Sequence, residues 1–518
     1  MSEQYQYVIG MDCGTTNIKG IVLRSDGKVT AKASRPSTFY RPGPDMHEQD
    51  ANEWWKSASE IFSELSGGMS PDDLSNIRGI CISSHTVTML PVDSHGRPLR
   101  MAMTYQDGRS SGELREILEV IGRERFINIV GGQPSVAFLP NKILWFKRHE
   151  PDLYARTAYF LQASSYINYK LTDVLVTDED QAYRTQCMDV EKQDWSDEIA
   201  AVIDPNLPDK MPPLKAVDEI IGYVTPQAAD ATGLVPGIPV LAGCSDAMAA
   251  MYATGMSRLG EAGESSGTTS LVFAGSETRS QADVPVVTRP CVIDNIPWVF
   301  DAPIQSSGAA LKWMIDTLAA KEQEYADQHG LNVYEYLNEL VLQGRPGANG
   351  LLFFPYLLGE RAPLWNDHAS GMFIGLRMST DRNDMFRAVF EGTAFALRHV
   401  IETVRESGAQ VDLLRICGGG SRSRAWNMIK ASVLKMPVYV MSGESGDVPV
   451  GDALIVGNRV GMFPDLSEAV KKILKVEEVI APIQEWSDVY DRLFPYYISM
   501  YQKLDLELKS LKETLDNI

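Results

Sequence analysis

Cysteine is scarce in this chain of 518 residues: there are six, at positions 13, 81, 187, 244, 291 and 417, with no Cys-x-x-Cys pair and no His placed to complete a zinc cluster. That pattern excludes a disulfide framework or a structural zinc site and points to a reduced, cytoplasmic chain. Long apolar runs are missing as well. None approaches the ~20 residues needed to cross a bilayer, and the polar segment from Met1 to Tyr7 runs straight into Val8-Ile9-Gly10 without the charged-then-apolar order of a leader. Basic residues are outnumbered, 48 Lys and Arg against 68 Asp and Glu, for a net charge of −20. A surface that negative repels phosphodiester backbones and anionic lipid, so a general nucleic-acid or membrane role is excluded, while a locally basic pocket for one small anion is not. Low-complexity and linker segments are lacking, and no G-x-x-x-x-G-K-[ST] pattern occurs, so the chain carries no P-loop.

What is present is ordinary globular composition, 44% hydrophobic and 22% charged. Tyr7-Val8-Ile9-Gly10, a Gly14-Thr15-Thr16-Asn17 turn and the β-branched run Ile18 to Leu23 predict a β-hairpin with a Gly/Thr tip, and Val29 to Arg35 a third strand. Ala51 to Leu65 carries Trp54, Ala58, Ile61 and Phe62 at helical spacing, and Ile77 to Ser83 reads as a buried strand. Near mid-chain the pattern recurs: a strand over Ile238 to Ala242, a helix from Asp246 to Tyr252, then Gly267-Thr268-Thr269-Ser270 followed by Leu271-Val272-Phe273. The repeated Gly-Thr-Thr tip suggests duplicated halves, although so short a match also recurs by chance. Asp384 to Ser407, with Gly408 at its end, and Trp486 to Asp516 are the clearest helices. These patterns predict a mixed α/β chain of two domains, 1–250 and 251–518.

Several segments bear groups suited to phosphate chemistry. Asp12-Cys13-Gly14-Thr15-Thr16-Asn17-Ile18-Lys19 offers hydroxyl and amide donors, a cation, and a carboxylate able to hold Mg²⁺ through water. Taken alone it is equally a hairpin turn with a capping Asp. Gly418-Gly419-Gly420 between a strand and a helix start lets a flat base approach closely, a weak signal by itself. Asp246, after a buried strand and at a helix start, is suited to accept a proton from a hydroxyl, or simply to cap the helix. Tyr105-Gln106-Asp107-Gly108-Arg109 suits a polyol, or is an exposed polar turn. Among seven histidines His85 alone falls in a plausible site, and a lone histidine is more often a satisfied structural residue. Cys244 has no neighbouring His and reads as packing.

The order of these motifs resembles the FGGY family of carbohydrate kinases, most closely its xylulokinase and gluconokinase members. The resemblance runs from Ile9 to the C-terminal helix. It is carried by Gly10-Met11-Asp12-Cys13-Gly14-Thr15-Thr16, the Tyr105-x-Asp107-x-Arg109 loop, Pro140-Asn141-Lys142-Ile143-Leu144-Trp145, Gly243-x-x-Asp246 and Gly267-Thr268-Thr269-Ser270. Further on, Gly308-x-x-Leu311-x-Trp313, the gluconokinase-like run from Gly350 to Asn366, and Asp384-Met385-x-x-Ala388-Val389-Phe390-Glu391 continue it.

The resemblance implies two actin-like, ribonuclease-H-like domains with a nucleotide and sugar cleft between them, and transfer of the ATP γ-phosphoryl group to a primary hydroxyl. It makes Asp246 the catalytic base, Asp12 the organiser of Mg²⁺ and phosphates, and Thr15, Thr16, Lys19, Gly267 and Thr268 phosphate-binding positions. Gly308, Lys312, Gly419, Gly420 and Arg424 fall at nucleotide positions, and His85, Tyr105 and Asp107 at substrate positions. The implied cofactors are ATP and Mg²⁺, and the implied partner is a small sugar or polyol; a homodimer stays open. Departures gather where substrate is read: His85-Thr86-Val87 stands where xylulokinases carry Gln-Met-His and gluconokinases Ala-Met-His, and Tyr105 stands where Trp is usual. A ketopentose such as D-xylulose is the first expected substrate and gluconate or another sugar acid the second. An actin-like ATPase switch with no acceptor is the alternative from a different class.

Overall fold

The computed structural model describes residues 5–279, 286–291, 296–366, 368–442 and 446–515. The chain forms two compact units, one made of Met1–Ala253 with Asp447–Ile473 and the other of Thr254–Gly446 with Leu474–Ile518.

The first unit is built on a seven-stranded sheet. Tyr7–Cys13 is buried along its whole length and occupies the middle, as its unbroken apolar run requires. It pairs antiparallel with Asn17–Arg24, which pairs antiparallel with Val29–Pro36 at the edge, where alternate residues face solvent. On its other side it runs parallel to Ile77–Ser84, beyond which lie Pro239–Leu241, parallel, and Ile220–Tyr223, antiparallel. The helix Ala51–Gly67 turns Trp54, Ala58, Ile61, Phe62 and Leu65 onto this sheet, with Asp50 accepting the Asn52 amide as its cap.

The second unit repeats that plan on its own seven-stranded sheet. Gly260–Ser266, Ser270–Ser276 and Trp298–Ile304 form the antiparallel meander, and Val411–Cys417 lies parallel to Gly260–Ser266. Val438–Met441 follows in parallel and Val476–Ile480 antiparallel. In each unit, therefore, a three-stranded meander with a Gly-Thr-Thr tip is followed by two parallel strands and an antiparallel edge, so the halves share a topology as well as a motif.

The expectation of one C-terminal domain over 251–518 misses the return of Asp447–Ile473 to the first unit. Its helix Val448–Arg459 lies against Tyr7–Cys13, so closely that a Cβ on Gly10 would stand 1.9 Å from the Pro449 carbonyl oxygen. A linear boundary could not show this, because the helix and strand that pack together lie at opposite ends of the chain. The long helices are Arg382–Glu406 and Gln484–Leu515; Asp516, expected to end the latter, lies outside the described residues. No helix among the described residues is long and apolar enough to cross a membrane.

Candidate active site

In the first unit the site grows from the ends of three neighbouring strands. Asp12 sits opposite Lys19 in the hairpin register, near the tip formed by Gly14, Thr15 and Thr16. The tip backbone is held by Gln49 Nε2 donating to the Thr15 carbonyl (3.1 Å) and the Ser37 amide donating to the Thr16 carbonyl (2.8 Å), while Thr16 itself is exposed. Lys19 pairs with Asp447 at 3.2 Å. Asp12 is buried and its Oδ1 has no hydrogen-bond partner. Burial, and next the neighbouring Asp246 charge, hold its carboxyl well above the usual range, with Lys19 opposing. A buried, unpartnered carboxylate oxygen beside a second carboxylate is an all-oxygen site suited to a hard cation such as Mg²⁺.

Asp246 opens the helix Asp246–Ala253. The capping alternative falls to its neighbour: Ser245 Oγ accepts the Met248 amide at 3.1 Å, and Asp180 Oδ2 holds the Ser245 amide at 3.0 Å. Asp246 is thus set in the first turn of this helix. Asp452 is fully buried and accepts from Ser83 Oγ at 2.8 Å. Neither Asp180 nor Asp452 belongs to a recognisable motif: Asp452 stands alone in an apolar run, and Asp180 ends the acidic triplet Asp178-Glu179-Asp180.

The segments expected to read substrate lie in the same unit. His85 is 1% exposed, and burial drives its imidazole down to about 4, so it is neutral. Its Nδ1 lies 2.9 Å from the Cys13 carbonyl, which can only accept, so Nδ1 carries the proton and Nε2 is a lone-pair acceptor without a partner. Val87 follows at φ 63°, a strained conformation for a β-branched residue. Lys142 bridges this turn to the next segment, donating to the Val87 carbonyl (3.3 Å) and the Thr104 carbonyl (2.6 Å), and burial pushes its ammonium down to about 7.

Asp107 is fully buried, and its two oxygens accept four donors: the Arg109 amide and Nε on Oδ1, the His47 amide and Arg109 Nη2 on Oδ2. Arg109 also donates to Glu48 Oε1 at 2.6 Å. Asp107 is therefore saturated, and a substrate hydroxyl would have to displace one of these donors; the structure gives it the task of orienting Arg109 and the His47 backbone. Tyr105 beside it is half-buried against a local apolar cluster.

In the second unit the Gly267-Thr268-Thr269 tip is exposed and meets the helix Gly308–Leu318 end-on: the Gly308 and Ala309 amides donate to the Gly267 and Thr268 carbonyls at 3.0 and 2.9 Å. This approach requires glycine, since a Cβ on Gly308 would fall 2.3 Å from the Gly267 oxygen. Beside the tip opens a cavity of about 670 Å³ lined by Gly267, Thr268, Gly308, Lys312, Gly419 and Gly420, with an apolar wall that includes Leu311, Met314, Phe390 and Trp426. Its size and mixed lining suit a nucleoside. Sequence reasoning missed Asn332, Tyr334, Glu335 and Asn338, which also line it and lie outside any glycine-rich signal.

Arg424 takes no part in that lining. Its guanidinium pairs with Glu478 at 2.9 Å on an exposed surface, and Arg422 and Ser423 line the cavity instead. Lys312 lines it, with its ammonium 2.8 Å from Asp316. The segment Asp384 to Glu391 is mostly scaffold: buried Glu391 Oε1 receives Arg387 Nε (2.7 Å), Tyr490 (2.8 Å) and the Gly347 amide (3.0 Å), and Phe390 alone of it reaches the cavity.

Profiles of the FGGY family of carbohydrate kinases match this chain, the N-terminal domain over residues 7–253 and the C-terminal domain over 264–457. The xylulose kinase of Escherichia coli strain K12 is 31% identical over 440 residues, covering 85% of this chain and 87% of its own. A gluconokinase of Bacillus licheniformis is 28% identical over 513 residues, 97% of this chain and 96% of its own. Among solved structures, the xylulose kinase from Rhodospirillum rubrum superposes with a TM-score of 0.89 at 29% identity, covering 97% of this chain and all of that one.

Proposed function

Because this chain belongs to the FGGY family of carbohydrate kinases, we propose that it transfers the γ-phosphoryl group of ATP to a primary hydroxyl of a small neutral ketose, xylulose first, in the cytoplasm. The observation that carries this reading is Asp246, held in the first turn by a Ser245 cap and close enough to the unpartnered Asp12 to raise its carboxyl. Asp246 takes the hydroxyl proton as the oxygen attacks phosphorus, and the protonated base is then relieved to solvent. The exposed Gly267-Thr268 tip beside the nucleoside cavity supplies donors for phosphate oxygens, and the Thr15, Thr16 and Lys19 groups of the first unit are, taken by themselves, donors of the same kind. Gly308, Lys312, Gly419 and Gly420 border the nucleoside cavity. Asp12 would hold Mg²⁺, directly or through water, where the ion screens the charge on the phosphates.

Two features favour a neutral acceptor over gluconate. Arg109 is committed to Asp107 and Glu48, and Lys142 to two carbonyls, so both cations beside the substrate segments already have partners. His85 Nε2 is a buried acceptor, matched by a sugar hydroxyl rather than a carboxylate. The gluconokinase-like stretch ending at Asn366 carries little substrate information, since it lies in the second unit, where Asn366 Nδ2 donates to Tyr501 on the C-terminal helix at 2.9 Å. Gluconate remains the second reading because full-length gluconokinases are among the relatives.

The test is a panel of pentuloses, hexuloses, tetruloses, polyols and aldonates assayed for ADP release. A site built to hydrogen-bond particular hydroxyls discriminates by up to ~10⁴-fold or more, so xylulose should stand out clearly. Release of ADP with gluconate alone would replace the ketose, and release with no member of the panel would defeat the kinase reading.

A further inference from the structure

Beneath the Gly267-Thr268 tip lies an ion pair that the phosphotransfer described above does not use. Glu264 is on the strand leading into the tip and Lys430 on the helix Arg424–Leu434 leading out of the Gly418-Gly419-Gly420 turn. Both are 1% exposed, and Lys430 Nζ reaches both Glu264 oxygens, at 2.7 and 2.9 Å. The same ammonium lies 3.4 Å from Ser266 Oγ and 3.8 Å from the ring centroid of Trp426, which lines the cavity. Ser270, on the far side of the tip, donates to Glu264 Oε1 at 2.8 Å and lies 2.7 Å from Ser307, the residue before the Gly308 helix. Gly420 presses on Ser266 from above, where a Cβ would come within 2.3 Å of Ser266 Oγ. The Gly267-Thr268 tip, the start of the Gly308 helix and the Gly420 turn are thus each linked to this one pair, directly or through a serine.

Burying two charges costs more than an apolar contact of the same volume would, so stability alone is a poor reason for the arrangement. A bidentate pair fixes a distance that an apolar pair leaves soft. We propose that Glu264 and Lys430 are positioning residues for the nucleotide: the pair sets the Gly267-Thr268 tip at a fixed distance from the Gly419-Gly420 turn and so governs how tightly the phosphates of ATP and ADP are held. The inference rests on the reading that this cavity takes a nucleotide. Neither residue touches that nucleotide; they act through the placement of the tip against the turn.

The experiment measures ADP and adenosine affinity by calorimetry, which needs no sugar acceptor, for the wild-type chain and two variants. The double variant Glu264→Gln/Lys430→Met removes both charges and leaves no buried ion unpaired. Lys430→Arg keeps the charge but replaces a compact ammonium by a wider planar fork. The double variant should bind ADP roughly tenfold more weakly while its affinity for adenosine, which has no phosphates, changes by less than about twofold. Lys430→Arg should show the same preference at about threefold, and it decides the matter if the double variant does not fold. ADP affinity unchanged in the folded variants, or an equal loss for both ligands, would overturn the inference and leave the pair structural. A wild-type chain that bound no ADP would overturn the nucleotide reading and this inference with it.

Discussion

His85 shows at the residue scale how burial converts a titratable group into a stability term. Its imidazole titrates near 4 when folded, against an ordinary value near 6.5. The unfolded chain therefore binds the extra proton first as pH falls. The stability this represents, about 3 kcal/mol at most, is fully present above pH 6.5 and is lost progressively toward pH 4. Urea unfolding of the wild type and of His85→Asn at pH 7 and pH 4.5 should show a smaller loss in the variant; equal losses would mean that His85 is solvated. The groups of the first Gly-Thr-Thr hairpin were legible because Asp12, Gly14, Thr15, Thr16 and Lys19 stand together in the chain. Glu264, Lys430 and Asp452 were not, because each meets its partner only after folding, and the residues flanking a charge do not say whether it is buried or exposed. Asp107 and Arg424 show the complementary limit: a motif position was legible, but whether its side chain was already committed to Arg109 or Glu478 was not.

At the scale of elements, local rules account for most of what forms. The helix Arg382–Glu406 starts with a capping box, in which Asp381 accepts the Asp384 amide at 2.9 Å and Asp384 accepts the Asp381 amide at 3.2 Å. Asp381→Ala should cost about 1 kcal/mol, read as a lower urea midpoint with unchanged slope. No change would show that tertiary packing alone fixes the helix start. Sequence periodicity placed this helix, the Ala51–Gly67 helix and both Gly-Thr-Thr hairpins near their observed limits, since apolar spacing and turn chemistry are local. It gave no sign of Cys244–Ser245 as a strand: two residues have no period, and their pairing with Ser83 and Ser84 is a long-range event.

The whole molecule carries the same sheet plan twice, and the second copy gives Asp447–Ile473 back to the first unit. The helix Val448–Arg459 brings buried Val450, Leu454, Ile455 and Val456 to the first sheet, at ~1.5–3 kcal/mol for each large side chain covered. Against a usual total of ~5–15 kcal/mol, that contribution decides whether the unit folds. A fragment ending at residue 253 should therefore lack a cooperative thermal transition, and joining residues 447–473 to it through a flexible linker should restore one. A cooperative transition in the shorter fragment would show the helix to be dispensable. Phosphoryl transfer as proposed depends most on Asp246 as the base for an acceptor hydroxyl. The most direct measurement is turnover and ADP affinity of Asp246→Asn beside the wild type, with the best acceptor from the sugar panel. Loss of a general base predicts kcat lower by ~10²–10⁴-fold with ADP affinity unchanged, whereas a variant that kept most of the wild-type rate would contradict it.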